Sequence, residues 1–118
     1  MKIYKIVYVK DDFIDLFEEY DKILPILYHD HESTYHNKQI DMIFDLIDNK
    51  KHLLDNYLNK RNDYTYEKNF YSIHNIITDQ YIHIKINKYD LEVYEEDNGT
   101  IIFDYLKIFK KNFYMFSL

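Results

Sequence analysis

The hydrophobic period of the chain changes along its length, and the changes mark out its elements. Ile3 to Val9 is dense in β-branched and aromatic residues and predicts a strand buried on both faces. Asp11 and Asp12 then supply an N-cap and first-turn acids. Phe13, Leu16, Phe17, Tyr20, Ile23, Leu24 and Leu27 follow at helical spacing. Pro25 removes a backbone donor, so the pattern predicts a broken helix from about Asp12 to Tyr28. His29 to Asn37 is polar and aperiodic, which predicts a loop. Asn37 can cap a second helix carrying Ile40, Ile43, Phe44 and Ile47. Leu53, Leu54, Tyr57 and Leu58 continue nearly in phase, giving one long helix or two short ones broken near Asp48–Lys51.

Beyond Arg61 the period falls from about 3.6 to 2. Phe70 to Ile76 reads as a strand. Ile82, Ile84 and Ile86 alternate with Tyr81, His83 and Lys85 in a second, and Leu91 to Glu95 makes a third after a turn at Asn87–Asp90. Asn98–Gly99 is the strongest turn signal. Thr100 is placed to cap a final helix with Ile101, Ile102, Tyr105, Leu106 and Phe109, and Phe113 to Phe116 predicts a last strand. Grouped strands and segregated helices predict an α+β fold. Its sheet is mostly antiparallel, of about five strands, with helices packed mainly on one face. The first and last strands are the expected additions to the central meander.

At 118 residues, with no repeat, linker or composition step, the chain reads as a single domain over residues 1–118. It has no cysteine, which excludes disulfides, thiolate zinc sites and a cysteine nucleophile. No apolar run approaches the ~20 residues that span a bilayer. Met1 to Lys10 carries charge within its apolar stretch and lacks a small-residue cleavage site, so it does not read as a signal peptide. A cytoplasmic, non-membrane protein is the expectation. One Gly, one Pro, fourteen Tyr and eight Phe give the chain an unusual texture, to which codon bias in an AT-rich genome and an aromatic binding surface are both open explanations that composition does not separate. A net charge of −6 repels phosphate, so direct nucleic-acid binding is not expected.

Catalytic chemistry is poorly represented. His29, Asp30, His31 and Glu32, with His36 beyond, form the best metal-like cluster, but their spacing matches no established ligand motif. Ser33, Ser72 and Ser117 lack the glycine-flanked turn of a hydrolase nucleophile, and one glycine allows no ordinary phosphate loop. Neighbouring acids such as Asp11–Asp12, Glu18–Glu19 and Glu95–Glu96 point different ways and do not share a site. The expectation is a non-enzyme without cofactor or metal. The first helix is more informative: its apolar arc is wider than one buried stripe needs. Phe13 and Phe17 at its edge are either core or an aromatic rim offered to a partner.

Several segments resemble the family of the sporulation inhibitor of replication, SirA. An aromatic strand ends in Val9-Lys10 and is followed by two acids and Phe13, with an aromatic, Phe17, four residues later. Lys38-Gln39-Ile40 is similar at the start of the middle helix. Leu91-Glu92-Val93 and the run Thr100 to Lys107 are similar near the end. The resemblance implies a domain that binds the N-terminal domain of the replication initiator DnaA and restrains initiation. It implies contact residues at Phe13, Phe17, Gln39 and Met42. Phe17 stands where the family has a tyrosine, and Met42 where it has an aromatic. The residues alone also allow an acidic interaction module of another class, a nucleic-acid mimic or an antitoxin-like protein, with Asp11, Asp12, Asp15, Glu18 and Glu19 as its active surface.

Overall fold

The computed structural model describes residues 2–19, 34–75, 77–96 and 100–117. Its strands are β1 (Lys2–Tyr8), β2 (Tyr64–Glu67), β3 (Phe70–Asn75), β4 (Gln80–Ile86), β5 (Asp90–Glu95) and β6 (Phe113–Ser117). The helices among the described residues are α1 (Ile14–Glu19), α2 (Thr34–Ile43), α3 (Lys51–Leu58) and α4 (Ile101–Phe109), with 3-10 turns at Asp11–Phe13 and Ile47–Asn49. All strand pairs are antiparallel, in the order β2-β3-β4-β5-β1-β6. The fold is α+β, as the grouping of periods predicts. The first and last strands add to the meander as expected, β1 beside β5 and β6 beside β1.

Among the described residues the sheet has six strands, one of which the hydrophobic pattern does not mark. The additional strand, β2, pairs Glu67 with Phe70 across the two-residue turn Lys68–Asn69. Both turn residues have positive φ, 46° and 63°. A tight hairpin needs that conformation, and glycine or Asn-Gly usually supplies it. Here a lysine and an asparagine adopt it, so the customary turn signal is missing from the sequence.

Alternation along β1 divides the core in two. Tyr4, Ile6 and Tyr8 face a cluster with Ile73, Ile84, Val93 and Phe113, covered by Leu54 and Leu58 of α3 and Ile102 and Leu106 of α4. Val7 and Val9 face a second cluster with Ile14 and Phe17 of α1, Ile40 and Ile43 of α2, and Phe44. Successive strand residues point to opposite faces, so helices lie on both faces of the sheet rather than mainly on one. The second layer covers the β1–β6 end. Over β3 and β4 that face instead carries Phe70, His74, Tyr81 and His83, with Phe70 and Tyr81 exposed.

Local departures follow from the same contacts. Thr34–Asn37 belongs to α2 instead of the expected loop, so Asn37 is not its cap. The middle helix is two helices: the Phe44 amide still donates to the Ile40 carbonyl at 3.0 Å, but the Asp45 amide turns to the Tyr8 carbonyl, part of the isolated bridge between Phe44 and Val9, and the break begins there. Asp45 sustains the break by accepting from the Leu46 amide and the Asn49 side chain, both at 2.9 Å. Lys10, not an aspartate, is the N-cap of the first 3-10 turn; Asp11 and Asp12 lie inside it. Thr100 is the N-cap of α4, but its hydroxyl donates to Asp104 at 3.0 Å instead of accepting a backbone bond. The expected break at Pro25 and turn at Asn98–Gly99 lie outside the described residues.

Candidate protein-binding site

The site implied by the resemblance draws on two segments far apart in sequence, and backbone bonds join them. After β1, the Lys10 amide donates to the Ile43 carbonyl at 2.9 Å, and the Asp45 amide donates to the Tyr8 carbonyl at 2.9 Å. The Lys10 ammonium also reaches the Asp41 carbonyl at 3.2 Å. The turn leading into α1 is thereby fixed against the last turn of α2. The same turn of α2 is tied to the β4–β5 connection by the Tyr89 hydroxyl, which donates to the Asp41 carboxylate.

Of the four implied contact residues, two have accessible side chains at this junction. Phe13 is half-buried against the second core cluster, and Met42 is 54% exposed. Gln39 lies in α2, three residues before Met42, and its side chain is outside the described set. Phe17 is placed differently from the expected aromatic rim. It is 1% exposed, with ring centroids 5.6 Å from Phe44 and 6.1 Å from Tyr114. A ring this enclosed contributes to packing and offers no face to a partner.

The phase of α1 explains the exchange. α1 begins at Ile14, after the 3-10 turn Asp11–Phe13, and the face it turns to the sheet carries Ile14 and Phe17. Ile14 and Phe17 point inward, while Leu16, expected in the core stripe, is 38% exposed. Leu16 lies one turn beyond Phe13 and is an accessible apolar residue that periodicity alone misassigns. Asp11, Asp12, Asp15, Glu18 and Glu19 are all exposed around it. Burial pushes the Tyr114 phenol upward, and the nearby Glu18 and Asp15 charges add to the shift. Asp15 and Glu18 thus add negative charge near Tyr114, while the Lys107 ammonium lies 4.2 Å from the centre of the same ring.

Other chemistry is sparse among the described residues. No group of three His, Asp or Glu side chains is arranged to hold a metal ion. His29 and His31 fall outside the described residues, and the His36 side chain does as well. On the open sheet face Ser72 and His83 are cross-strand partners with Oγ and Nδ1 3.0 Å apart. His83 is stacked with Phe70 and Tyr81, at centroid distances of 5.7 and 5.9 Å. A nucleophile–base pair needs a third group to orient the base, and here aromatic rings flank the imidazole. His74 pairs instead with Asp79 at 2.9 Å. No helix among the described residues is long and apolar enough to cross a membrane.

No family model matches the chain, and no curated protein does.

Proposed function

We propose that this domain is a stoichiometric inhibitor of replication initiation that binds the N-terminal domain of DnaA, in the cytoplasm and without a cofactor. The observation that carries the reading is the Lys10–Ile43 backbone bond. It brings the turn that carries Phe13 beside the second half of α2, where Gln39 and Met42 lie although the SirA resemblance puts them at the start of the middle helix. Phe13 and Met42 are then apolar groups on adjoining elements, with Leu16 extending the surface from α1. Gln39 shares the helix of Met42 and would add directional hydrogen bonds. Phe17 acts from beneath, packing against Phe44 and Tyr114 to hold α1 against the sheet. Occupying the initiator's surface would deny it to other initiator molecules or helper proteins.

Calorimetric titration against the host's isolated DnaA N-terminal domain tests this directly. The expected result is saturable binding near one to one, weakened by Phe13→Ala and by Met42→Ala in folded protein. Absence of binding at high micromolar concentration would overturn the reading. The exposed acids of α1 favour a second reading, an acidic module for another partner. Salt separates the two, since a charge-led complex weakens steeply with ionic strength and an apolar-led one only modestly.

A further inference from the structure

We infer that Asn112 is a positioning residue for the Phe13 surface, an inference that rests on the binding reading above. Asn112 is 4% exposed, one of few buried polar residues among those described. It lies in the turn between α4 and β6, about a hundred residues from the site in sequence. Its carbonyl accepts the Val9 amide at 3.0 Å. Its side-chain amide donates to the Val9 carbonyl at 2.8 Å and to Asp11 Oδ1 at 2.7 Å.

The register explains why an asparagine serves here. The β1–β6 ladder ends at the pair Tyr8–Phe113, so Val9 lies one residue beyond regular pairing on that side. Asn112 extends the ladder by one step, its backbone oxygen taking the Val9 amide and its side chain imitating the next strand's N–H. The same side chain then captures Asp11, the first residue of the 3-10 turn. An apolar residue at this position would leave the Val9 carbonyl buried without this donor, a costly state.

The connection from β1 to α1 is therefore clamped on two sides. Asn112 holds Val9 and Asp11 from the β6 side, and Ile43 holds Lys10 from the α2 side. Phe13 follows directly, its own amide donating to the Lys10 carbonyl at 2.9 Å. The direction in which the Phe13 ring leaves the surface is set by these bonds, none of which touches a partner.

The test compares Asn112→Ala, Asp11→Ala and Asp11→Asn with the parent chain by two readouts. Amide hydrogen exchange in the free protein reports the clamp. Titration with the DnaA N-terminal domain, at a temperature where every variant is folded, reports its consequence. Asn112→Ala is expected to speed exchange at Lys10 and Phe13 while Ile84 in the sheet centre stays protected. Its affinity should fall by at least about tenfold, the effect of losing one to two hydrogen bonds. Asp11→Ala removes only the exposed acceptor and keeps the fold, so it decides the matter if Asn112→Ala does not fold. It should weaken binding, and Asp11→Asn, which keeps an acceptor there, should restore it. Parent-like affinity in folded Asn112→Ala or in Asp11→Ala would overturn the positioning role while leaving the partner intact. Failure of the parent chain itself to bind would instead overturn the partner reading, and this role with it.

Discussion

The Tyr4 hydroxyl donates to Glu95 Oε1 at 2.7 Å across 91 residues of sequence, and both side chains are buried. Tyr4 comes from β1 and Glu95 from the end of β5, and the same carboxylate oxygen lies 3.5 Å from the Ile102 amide in the first turn of α4. A carboxylate at that end of a helix is favoured by the positive end of its dipole. This contact joins two neighbouring strands and the helix that covers them. Tyr4→Phe keeps the ring and removes the donor. It is expected to destabilise the fold by ~1–3 kcal/mol, the cost of leaving a buried polar group short of a partner. Urea unfolding measures it, and an unchanged midpoint would show that Glu95 is held equally well without Tyr4.

Alkaline conditions should destabilise the protein through its buried phenols. Burial, with the Glu95 carboxylate adding to it, pushes the Tyr4 phenol far above its ordinary 10.0. Burial and the Asp55 carboxylate do the same to Tyr71, whose hydroxyl donates to Asp55 Oδ1 at 2.7 Å. A group with a raised folded pKa stabilises fully below its unfolded value. That stabilisation is lost as pH rises through 10 toward the folded value. Unfolding free energy should therefore fall progressively above pH 10, and less steeply in Tyr71→Phe. Equal slopes in parent and variant would remove Tyr71 as a source.

Phe13 and Phe17 should separate cleanly under substitution. Phe17→Ala opens a cavity beside Phe44 and Tyr114 and is expected to cost ~3–5 kcal/mol of stability. Phe13→Ala should cost less stability, because Phe13 is half-buried. If it anchors the complex, it should remove ~2 kcal/mol or more of binding free energy. Thermal unfolding and calorimetric titration of both variants give the four numbers required. Large losses of stability with unchanged affinity in both variants would assign both rings to the core.

Arg61 is not interchangeable with lysine. Its guanidinium donates to both oxygens of Asp63, at 2.8 and 2.6 Å, and to the Tyr57 hydroxyl at 3.0 Å. This fork ties the end of α3 to the approach to β2. A lysine cannot reproduce it, so Arg61→Lys should cost about 0.5–1 kcal/mol at this partly exposed site. The hydrogen bonds from Arg61 hold the Asp63 carboxyl below its ordinary 3.8. The contribution of Asp63 is therefore present above pH 3.8 and is lost as pH falls through the depressed folded value. Stability measured from pH 6 down to pH 2 should drop less in Asp63→Asn than in the parent.

The hydrophobic period determined much of the fold by itself. Ile82, Ile84 and Ile86 alternate with Tyr81, His83 and Lys85, and that pattern is enough to define β4 and its inner face. Ile102 and Leu106 likewise fix the buried side of α4. Such patterns are legible because one face meets the core and the other does not. Tertiary structure decided the rest. The Lys68–Asn69 hairpin uses left-handed conformations that residue identity does not announce, and the break after Phe44 exists because Val9 pairs with it. The candidate site was legible only in part. Phe13 and Met42 are accessible at one junction, but Phe17 is buried and Leu16 exposed because α1 packs the face that carries Ile14 and Phe17. Asn112 carries no sequence signal, since an isolated asparagine reads as a turn residue. Its role arises only because the β1–β6 ladder ends at Tyr8–Phe113 and the Val9 carbonyl lies one residue beyond it, a position that long-range pairing alone creates.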